Sequence, residues 1–308
     1  MVRAHPVRDS DRHPWMLAAL FALLVLLWVG DCFGQGGAPD AEGRLLLETP
    51  CAPSGYARLL REYVSPVRMP DGGTESRFDY ARFHASASQR KVRDDLRTRF
   101  LTVDPSAMDP ASRIAWAVNA YNFFVLDTVI EHFLSSGKDT LRSIADIGAK
   151  PFAAFEEERF FLGKKDLPAG KQSYSLNGFE AHYLFHDIDR GDGKSAPAVD
   201  PRLHFVLVCA AKGCPPLLTE PLGPEHLEKT LDRAVLDALA SPRQLRFEGD
   251  TLHVSKIFEW YAADFHTPGV RAFFYKYAPE PVRRALADAS RTIQVVPDIE
   301  WDWSLNRR

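Results

Sequence analysis

The stretch Leu203–Leu218, LHFVLVCAAKGCPPLL, decides how the fold of this chain is interpreted. Apolar residues with high β propensity lead up to Cys209 and predict a buried strand over Leu203–Cys209. The small-residue loop Ala210–Gly213 follows, and then come Cys214 and two prolines. A strand that delivers a thiol to its own C-terminal end, beside nearly bare backbone, is a common way to build a site. The same arrangement also makes an ordinary short disulfide loop.

The composition is that of a globular protein. The 308 residues are 45% hydrophobic, 26% charged and 11% aromatic, which is enough apolar material for a sizeable core. The formal net charge of −3 gives no reason to expect nucleic acid or an acidic membrane surface as a partner. We therefore predict no nucleic-acid partner.

The N-terminus has the pattern of an export signal. Three arginines within residues 1–12 precede the uncharged stretch Trp15–Gly30, which is shorter than the about 20 residues that span a bilayer comfortably. Cleavage after Gly34 would remove residues 1–34 as a signal peptide, whereas an uncleaved membrane anchor and a buried soluble helix are the alternatives. The first two predict an exported body, periplasmic or extracellular, with the N-terminus contacting the membrane or the export machinery. Residues 35–50 resemble a linker, and residues 51–308 are interpreted as a single globular domain.

The chain has four cysteines, at positions 32, 51, 209 and 214. Loss of Cys32 with the signal would leave an odd number, so that in an oxidising compartment two pair and one stays free. Cys209 and Cys214 are the nearest pair in sequence. A disulfide, one reactive thiol, and structural or metal-binding thiols are all compatible with this spacing.

Helical patterns outnumber strand patterns along the chain. The strongest is Asp109–Leu134, which opens on Asp109-Pro110 and is apolar on nearly every face, as buried helices are. The hairpin signal Glu248-Gly249-Asp250 joins two short apolar runs. Further helices are predicted over Gly55–Val64, Tyr80–Phe100, Ser175–Phe185, Pro224–Ala240 and Lys256–Phe265, and strands within 159–175 and over Thr292–Val296. Without regular βαβ alternation, this predicts an α+β fold, one mostly helical domain with a small sheet.

Buried polar side chains are the first candidates for a site. Asn119 and Asn122 lie three residues apart on one face of the buried helix, where an unpartnered amide would cost roughly 1–3 kcal/mol. They are either clamps on loop backbone or amides that orient a catalytic group or an oxyanion. Glu180 follows Asn177 at the spacing of a capping box, and is otherwise a carboxylate available for acid–base chemistry.

The histidines give weaker signals. His182 and His186 have a spacing that can bind a metal ion, but no Glu stands between them in the metalloprotease position, and no metal is predicted. In a strand, His204 and Cys209 would point to opposite faces and would not form a dyad. Cys209 as a nucleophile would then need another base, such as Glu180 or a different histidine.

Two further features have a structural and a functional interpretation. Lys212 lies between the cysteines, where its charge would lower a thiol pKa unless it is simply solvated. Trp301 and Trp303 are interpreted as an anchor that packs on the domain rather than as a ligand platform.

Six segments together resemble the domain-of-unknown-function 547 family. They occur in the family's order: FDYARF (Phe78–Phe83), AWAVNAYNFFV (Ala115–Val125), SLNGFE (Ser175–Glu180), DPRLHFVLVCAAKGCPPL (Asp200–Leu217), VSKIFEWYAADF (Val254–Phe265) and DWSLN (Asp302–Asn306). The resemblance implies one compact domain and supplies no known reaction. The residues to which it points are Asn119, Tyr121, Asn122, Glu180, His204, Cys209, Cys214, Ser255, Lys256 and Asp264.

This chain departs from the family at one position. The family commonly has a Glu-His pair where this chain has Glu180-Ala181, with His182 one step later and rotated by about 100° around a helix. Plant relatives have serine at the position of Cys214. The resemblance therefore implies that Cys209 is the better candidate for a shared role.

These patterns predict an exported or membrane-tethered domain whose site groups Asn119, Asn122, Glu180 and Cys209. One hypothesis is a binding or structural envelope protein for a small-molecule or peptide ligand, without a cofactor. The alternative is a cysteine-dependent hydrolase or transferase acting on an envelope peptide, amide or ester. Cys209 would be its nucleophile, Glu180 its base or orienting group, and the backbone N–H groups of Ala210–Gly213 its oxyanion donors. The ligand-binding candidates are Tyr121, His204, Lys212, Cys214, Ser255 and Lys256.

Overall fold

The computed structural model describes residues 51–70, 72–136, 140–161, 173–185 and 199–308. The predicted signal or anchor segment, the linker and His186 lie outside these ranges. Within them, no helix combines the length and the apolar character needed to cross a bilayer.

The α+β prediction is confirmed. The helices of the described residues are α1 (Ser54–Tyr63), α2 (Tyr80–Ala85), α3 (Ala87–Thr102), α4 (Pro110–Ser136), α5 (Ala153–Glu156), α6 (Leu176–Tyr183), α7 (Leu227–Leu239), α8 (Ile257–Trp260), α9 (Val270–Tyr277) and α10 (Glu280–Ala287). The strands are β1 (Val64–Arg68), β2 (Thr74–Phe78), β3 (Phe160–Phe161), β4 (Ser173–Tyr174), β5 (Leu245–Glu248), β6 (Thr251–Ser255) and β7 (Gln294–Ile299).

Helix α4 is the centre of the fold. The Asp109 carboxylate accepts hydrogen bonds from the N–H groups of Ala111 and Ser112 at 3.0 and 3.1 Å, which caps the helix start. The residues from Ala115 to Ile130 are all buried, because other elements cover every face. The aromatic ring of Phe123 stacks on Phe100 of α3 with ring centroids 5.2 Å apart. A helix predicted from its apolar faces is therefore the helix around which the rest packs.

The strands form small sheets at the periphery. β1 pairs with β2 and β3 with β4, both antiparallel, and β5–β6–β7 forms the largest sheet of the described residues. The predicted hairpin is the β5–β6 pair, with Gly249 at a φ of 58° in its turn, a conformation that glycine adopts without steric cost. β7 runs parallel to β6 and leads directly into residues 301–308.

The strand predicted over Leu203–Cys209 is wrong. Pro201–Phe205 is a 3₁₀-helix, which begins where the Asp200 carboxylate accepts the N–H of Arg202 at 2.9 Å. Val206 and Val208 follow without a partner strand, because the Asn122 side chain supplies a donor and an acceptor to their backbone. The apolar run is buried as predicted, but an amide rather than a sheet satisfies its polar groups.

Other element boundaries also differ from the predictions. The predicted helix Tyr80–Phe100 is two helices, since Ser86 is extended and caps α3 through the N–H of Gln89. The sequence offers Ser175 and Asn177 as N-caps of this helix, and Ser175 caps α6 by accepting the N–H of Gly178 at 3.0 Å, so Glu180 is not in a capping-box position.

The helix predicted over Lys256–Phe265 is the short α8 followed by the 3₁₀-helix Ala262–Phe265. Ser255 does not cap α8. Its buried Oγ atom has no hydrogen-bond partner among the described residues.

A buried ion cluster joins α3 to α4. Asp127 of α4, 1% exposed, binds Arg93 of α3 and also accepts a 3.0 Å hydrogen bond from Arg97. Burial raises the pKa of the Asp127 carboxyl, although both arginines oppose this shift. Two positive charges next to one buried acid fix the register of these helices.

Candidate functional site

A cavity of about 320 Å³ opens beside α4 and α6. Glu180, His204, Cys209 and Cys214, all named in the sequence analysis, line it together with Asn177. Tyr121 of α4 is part of the same wall. We call this space the thiol cavity, and Cys209–Cys214 the thiol loop.

The two sulfur atoms are neighbours. Cys209 Sγ and Cys214 Sγ lie 2.6 Å apart, and both residues are half-buried free thiols. The backbone N–H of Cys209 donates to Cys214 Sγ at 3.1 Å. The loop therefore turns back so that its last residue meets its first.

The surroundings of the two sulfurs give them different acidities. The hydrogen bond that Cys209 shares with Cys214, together with burial, raises the pKa of the Cys209 thiol. Burial also works against ionisation of Cys214, but the hydrogen bonds from the Cys209 thiol and from backbone N–H groups outweigh it and lower the pKa of the Cys214 thiol. Cys214 is therefore the thiol of the pair that ionises more readily.

Residues 301–308 hold the thiol loop in place. Lys212 N–H donates to the carbonyl of Ser304 and Gly213 N–H to that of Asp302, both at 2.8 Å. Ala210, whose φ of 59° is a left-handed conformation that costs an alanine roughly 1 kcal/mol, accepts the N–H of Asn306 at 2.9 Å. Two of the N–H groups predicted as oxyanion donors are therefore not available to a substrate.

The amides of α4 act as backbone clamps. Asn122 Nδ2 donates to the carbonyl of Val206 at 2.8 Å, and its Oδ1 accepts the N–H of Val208 at 3.0 Å. Asn119 uses its amide in the same way on Leu222, and also donates to the carbonyl of Cys51 at 2.7 Å. Neither amide lines the thiol cavity. These contacts agree with the interpretation of both amides as clamps on loop backbone.

Glu180 contributes a neutral carboxylic acid to the cavity. Burial raises the pKa of its side chain from an ordinary 4.5 to about 8, with no other cause. Burial raises the pKa of Tyr121, and the negative charges that Glu180 and Cys209 carry when ionised add to that shift. At pH 7 the Glu180 carboxyl therefore holds a proton that it can donate.

His204 and Asp264 form a second polar pair at the cavity. His204 Nε2 lies 2.8 Å from Asp264 Oδ2, and the imidazole stacks on Tyr261 with ring centroids 3.9 Å apart. Burial lowers the pKa of His204 although Asp264 opposes the shift, so the ring is neutral at pH 7. His204 and Cys209 line the same cavity. The prediction that they point to opposite faces is wrong, because it assumed a strand that this segment does not form.

Aromatic side chains form the opposite wall. Trp260 and Phe152 are 47% and 38% exposed, and the Phe152 ring packs edge-on against Trp303 at 4.8 Å. Trp301 packs against Trp260 at 5.0 Å. All four line the cavity, so Trp301 and Trp303 form part of its wall as well as packing on the domain. Sequence reasoning missed Phe152, which no motif distinguishes, and Trp260, which lies within VSKIFEWYAADF.

Three predicted binding residues do not line the cavity. Lys256 Nζ bonds Glu259 at 2.7 Å and the carbonyl of Pro297 at 2.8 Å. Ser255 is buried. Hydrogen bonds from Ser304 lower the pKa of the Asp302 carboxyl against the effect of burial, and the positive charge of Lys212 adds to this lowering. Within the described part of the chain, no three His, Cys, Asp or Glu side chains are arranged to hold a metal ion.

Part of the chain is similar to a known protein family. The model described as "Protein of unknown function, DUF547" matches residues 105–237. Residues 105–237 therefore resemble the DUF547 family. The DUF547 match includes the clamp amides, Glu180, His204 and the thiol loop, whereas Trp260, Asp264 and residues 301–308 lie beyond it. No curated protein and no solved structure matches the chain significantly.

Proposed function

We propose that this chain is a thiol-dependent enzyme of the cell envelope that binds a small molecule or peptide in the thiol cavity. The observation that carries the proposal is the convergence of two thiols, a neutral carboxylic acid and a histidine held by Asp264 on one largely apolar cavity. Convergent polar groups in an apolar cavity of this size are typical of ligand sites.

Cys214 is the proposed nucleophile. Sequence reasoning favoured Cys209, but hydrogen bonds lower the pKa of Cys214, and the thiolate is the reactive form of cysteine. Its sulfur would attack an electrophilic centre of the bound substrate and form a covalent intermediate. In a hydrolase or transferase, that centre is a carbonyl carbon and the intermediate is a thioester.

Glu180 is the proposed proton donor. Because its pKa is about 8, it enters the reaction protonated and can give that proton to the leaving group. This role replaces the base suggested by sequence reasoning. His204, held by Asp264 and neutral, is a second polar contact for the substrate.

The proposed location is outside the cytoplasm or at the membrane. The arginines and apolar stretch of residues 1–30 support it, as an exported or membrane-tethered chain carries such a segment. The substrate would then be an envelope peptide, amide or ester, or another small molecule of that compartment.

The second candidate is ligand binding without covalent chemistry. It is favoured by the hydrogen bonds of Lys212 and Gly213 to residues 302–304, which occupy N–H groups that acyl transfer would use on an oxyanion. The half-exposed rings of Trp260 and Phe152 serve binding equally well.

Alkylation kinetics test the nucleophile. The reduced chain is treated with iodoacetamide over a range of pH, and peptide mass mapping measures the modification of each cysteine. We expect Cys214 to react with an apparent pKa below the about 8.5 of a free cysteine. Cys209→Ser is the matched variant for Cys214→Ser, because it removes the neighbouring sulfur and keeps the nucleophile. Reaction of Cys214 no faster than in the urea-unfolded chain would overturn the proposal and leave binding.

A further inference from the structure

We infer that Cys209 and Cys214 act as a reversible dithiol–disulfide pair, and that the electrophile taken by the thiol cavity is the sulfur of a disulfide. This inference rests on the proposed function, because it uses the same nucleophile. It goes further by naming the reaction as thiol–disulfide exchange and the substrate class as disulfides and dithiols.

The positions of the sulfurs carry the inference. The Sγ atoms are 2.6 Å apart within one loop, so the second thiol is already beside the first. Both residues line the cavity, so a substrate that reaches Cys214 also meets Cys209. A hydrolase needs one thiol, whereas exchange needs an attacking thiol and a resolving thiol side by side.

The backbone of the loop points the same way. Cys214 Sγ accepts the N–H of Cys209, and the N–H groups of Lys212 and Gly213 bond residues 302 and 304. The N–H of Cys209 therefore stabilises a thiolate on Cys214, whereas the N–H groups of Lys212 and Gly213 are not free to bind a carbonyl oxyanion. Attack on a disulfide creates no oxyanion, and its leaving group needs only a proton.

The exchange proceeds in two balanced steps. Cys214 thiolate attacks one sulfur of a substrate disulfide, a mixed disulfide forms, and the other substrate sulfur leaves as a thiolate that takes the proton of Glu180. Cys209 then transfers its proton to the Glu180 carboxylate and attacks the Cys214 sulfur, which releases the second substrate thiolate. The substrate disulfide gains two electrons and becomes one thiol and one thiolate, which takes its proton from solvent, while the protein pair loses two electrons and becomes a disulfide. A substrate dithiol reverses both steps.

Glu180 suits this proton exchange. It lines the cavity with both sulfurs. The hydrogen bond with Cys214 and burial are the main causes that raise the pKa of Cys209, and an ionised Glu180 adds to them. A carboxyl with a pKa near 8 both donates and accepts a proton around neutral pH. The rings of Trp260 and Trp303 would contact the rest of the substrate.

Ellman's reagent, a chromogenic aromatic disulfide, tests the inference on the full chain. The reduced wild type should release two thionitrobenzoates per thiol loop and end as an internal Cys209–Cys214 disulfide without an adduct. Cys209→Ser should release one and keep a mixed disulfide on Cys214. Cys214→Ser should react at least about tenfold more slowly at Cys209. Peptide mass mapping identifies which cysteines have reacted, so that the released thionitrobenzoate can be assigned to Cys209 and Cys214. Circular dichroism verifies that both variants are folded.

The outcomes separate the two proposals. A wild type that keeps an adduct on Cys214, while Cys209→Ser labels rapidly at Cys214, would overturn the redox pair and leave the thiol nucleophile intact. Cys214 labelling no faster than in the urea-unfolded chain would overturn both proposals.

Glu180→Gln probes the proton transfer. The substitution keeps the shape of the side chain and should slow closure of the internal disulfide by about 100-fold near neutral pH, a typical contribution of a positioned acid or base. Closure at the wild-type rate at every pH would exclude Glu180 from the exchange.

Discussion

Asn122 on the central helix accepts the backbone N–H of Val208 at 3.0 Å, one residue before the first cysteine of the thiol loop. The amide also donates to the carbonyl of Val206, so one side chain fixes the backbone that leads into the loop. The position of Cys209 relative to α4 therefore depends on a hydrogen bond rather than on a strand.

Asn122→Ala should lower the free energy of unfolding by about 2–4 kcal/mol, because it leaves a buried carbonyl and a buried N–H without partners. It should also slow alkylation of Cys214, since the loop loses its support. Asn119→Ala is the control: it removes equivalent bonds to Leu222 and Cys51, so stability should fall to a similar extent while Cys214 keeps its reactivity. Urea unfolding and iodoacetamide rates measure the two effects. Equal loss of reactivity in both variants would contradict this role for Asn122.

The raised pKa of Glu180 predicts how stability depends on pH. Its contribution is fully present below pH 4.5, where the carboxyl is protonated whether folded or unfolded, and is lost as the pH rises to about 8. Across that window, the free energy of unfolding should fall by up to about 1.4 kcal/mol per pH unit from this group. Glu180→Gln should remove this component, as urea unfolding at several pH values would measure. An unchanged slope in the variant would show that the carboxyl ionises freely in the folded chain.

The buried ion cluster predicts a large effect far from the thiol cavity. Asp127→Ala removes the buried carboxylate that Arg93 and Arg97 share and leaves the buried Arg93 with the partly exposed carboxylates of Glu131 and Asp94, so it should cost up to about 3–5 kcal/mol of unfolding free energy. Asp95→Ala removes the partner of Arg99 in an exposed pair on α3 and should cost less than about 1 kcal/mol. Thermal unfolding of the two variants measures both losses of stability. Similar losses would show that burial does not set how much an ion pair contributes to stability.

Gly213 is predicted to tolerate no side chain. A Cβ atom there would lie 2.9 Å from both the Asp302 nitrogen and the Trp301 ring, so residues 301–302 would have to move. Gly213→Ala should cost about 1–3 kcal/mol and change the tryptophan fluorescence. Gly55→Ala, whose Cβ would meet side-chain atoms alone, those of Leu96 at 3.3 Å and Val92 at 3.6 Å, is the control and should be neutral or stabilising. Unchanged stability and emission in Gly213→Ala would contradict this close packing.

Local signals in the sequence predicted the helices well. Asp109 and Pro110 mark the start of α4, and the apolar faces that follow identify it as the buried helix. Turn residues likewise identified the hairpin at Gly249. These features depend on neighbours in the chain, which a sequence displays directly.

Long-range partners account for what the sequence did not predict. A buried apolar run such as Leu203–Cys209 looks the same whether a strand or an amide satisfies its backbone, and the amide of Asn122 lies far away in sequence. The pairing of His204 with Asp264 and the occupation of the Lys212 N–H by Ser304 likewise join distant segments. The roles of the two cysteines follow from these contacts and not from their spacing.

Residues 302–306 close the backbone of the thiol loop, yet the ribosome adds them long after it has added Cys214. Until they emerge, the left-handed turn at Ala210 lacks the N–H of Asn306 that supports it. The spacing of the two sulfurs is therefore completed only when the chain made after them folds back onto their loop.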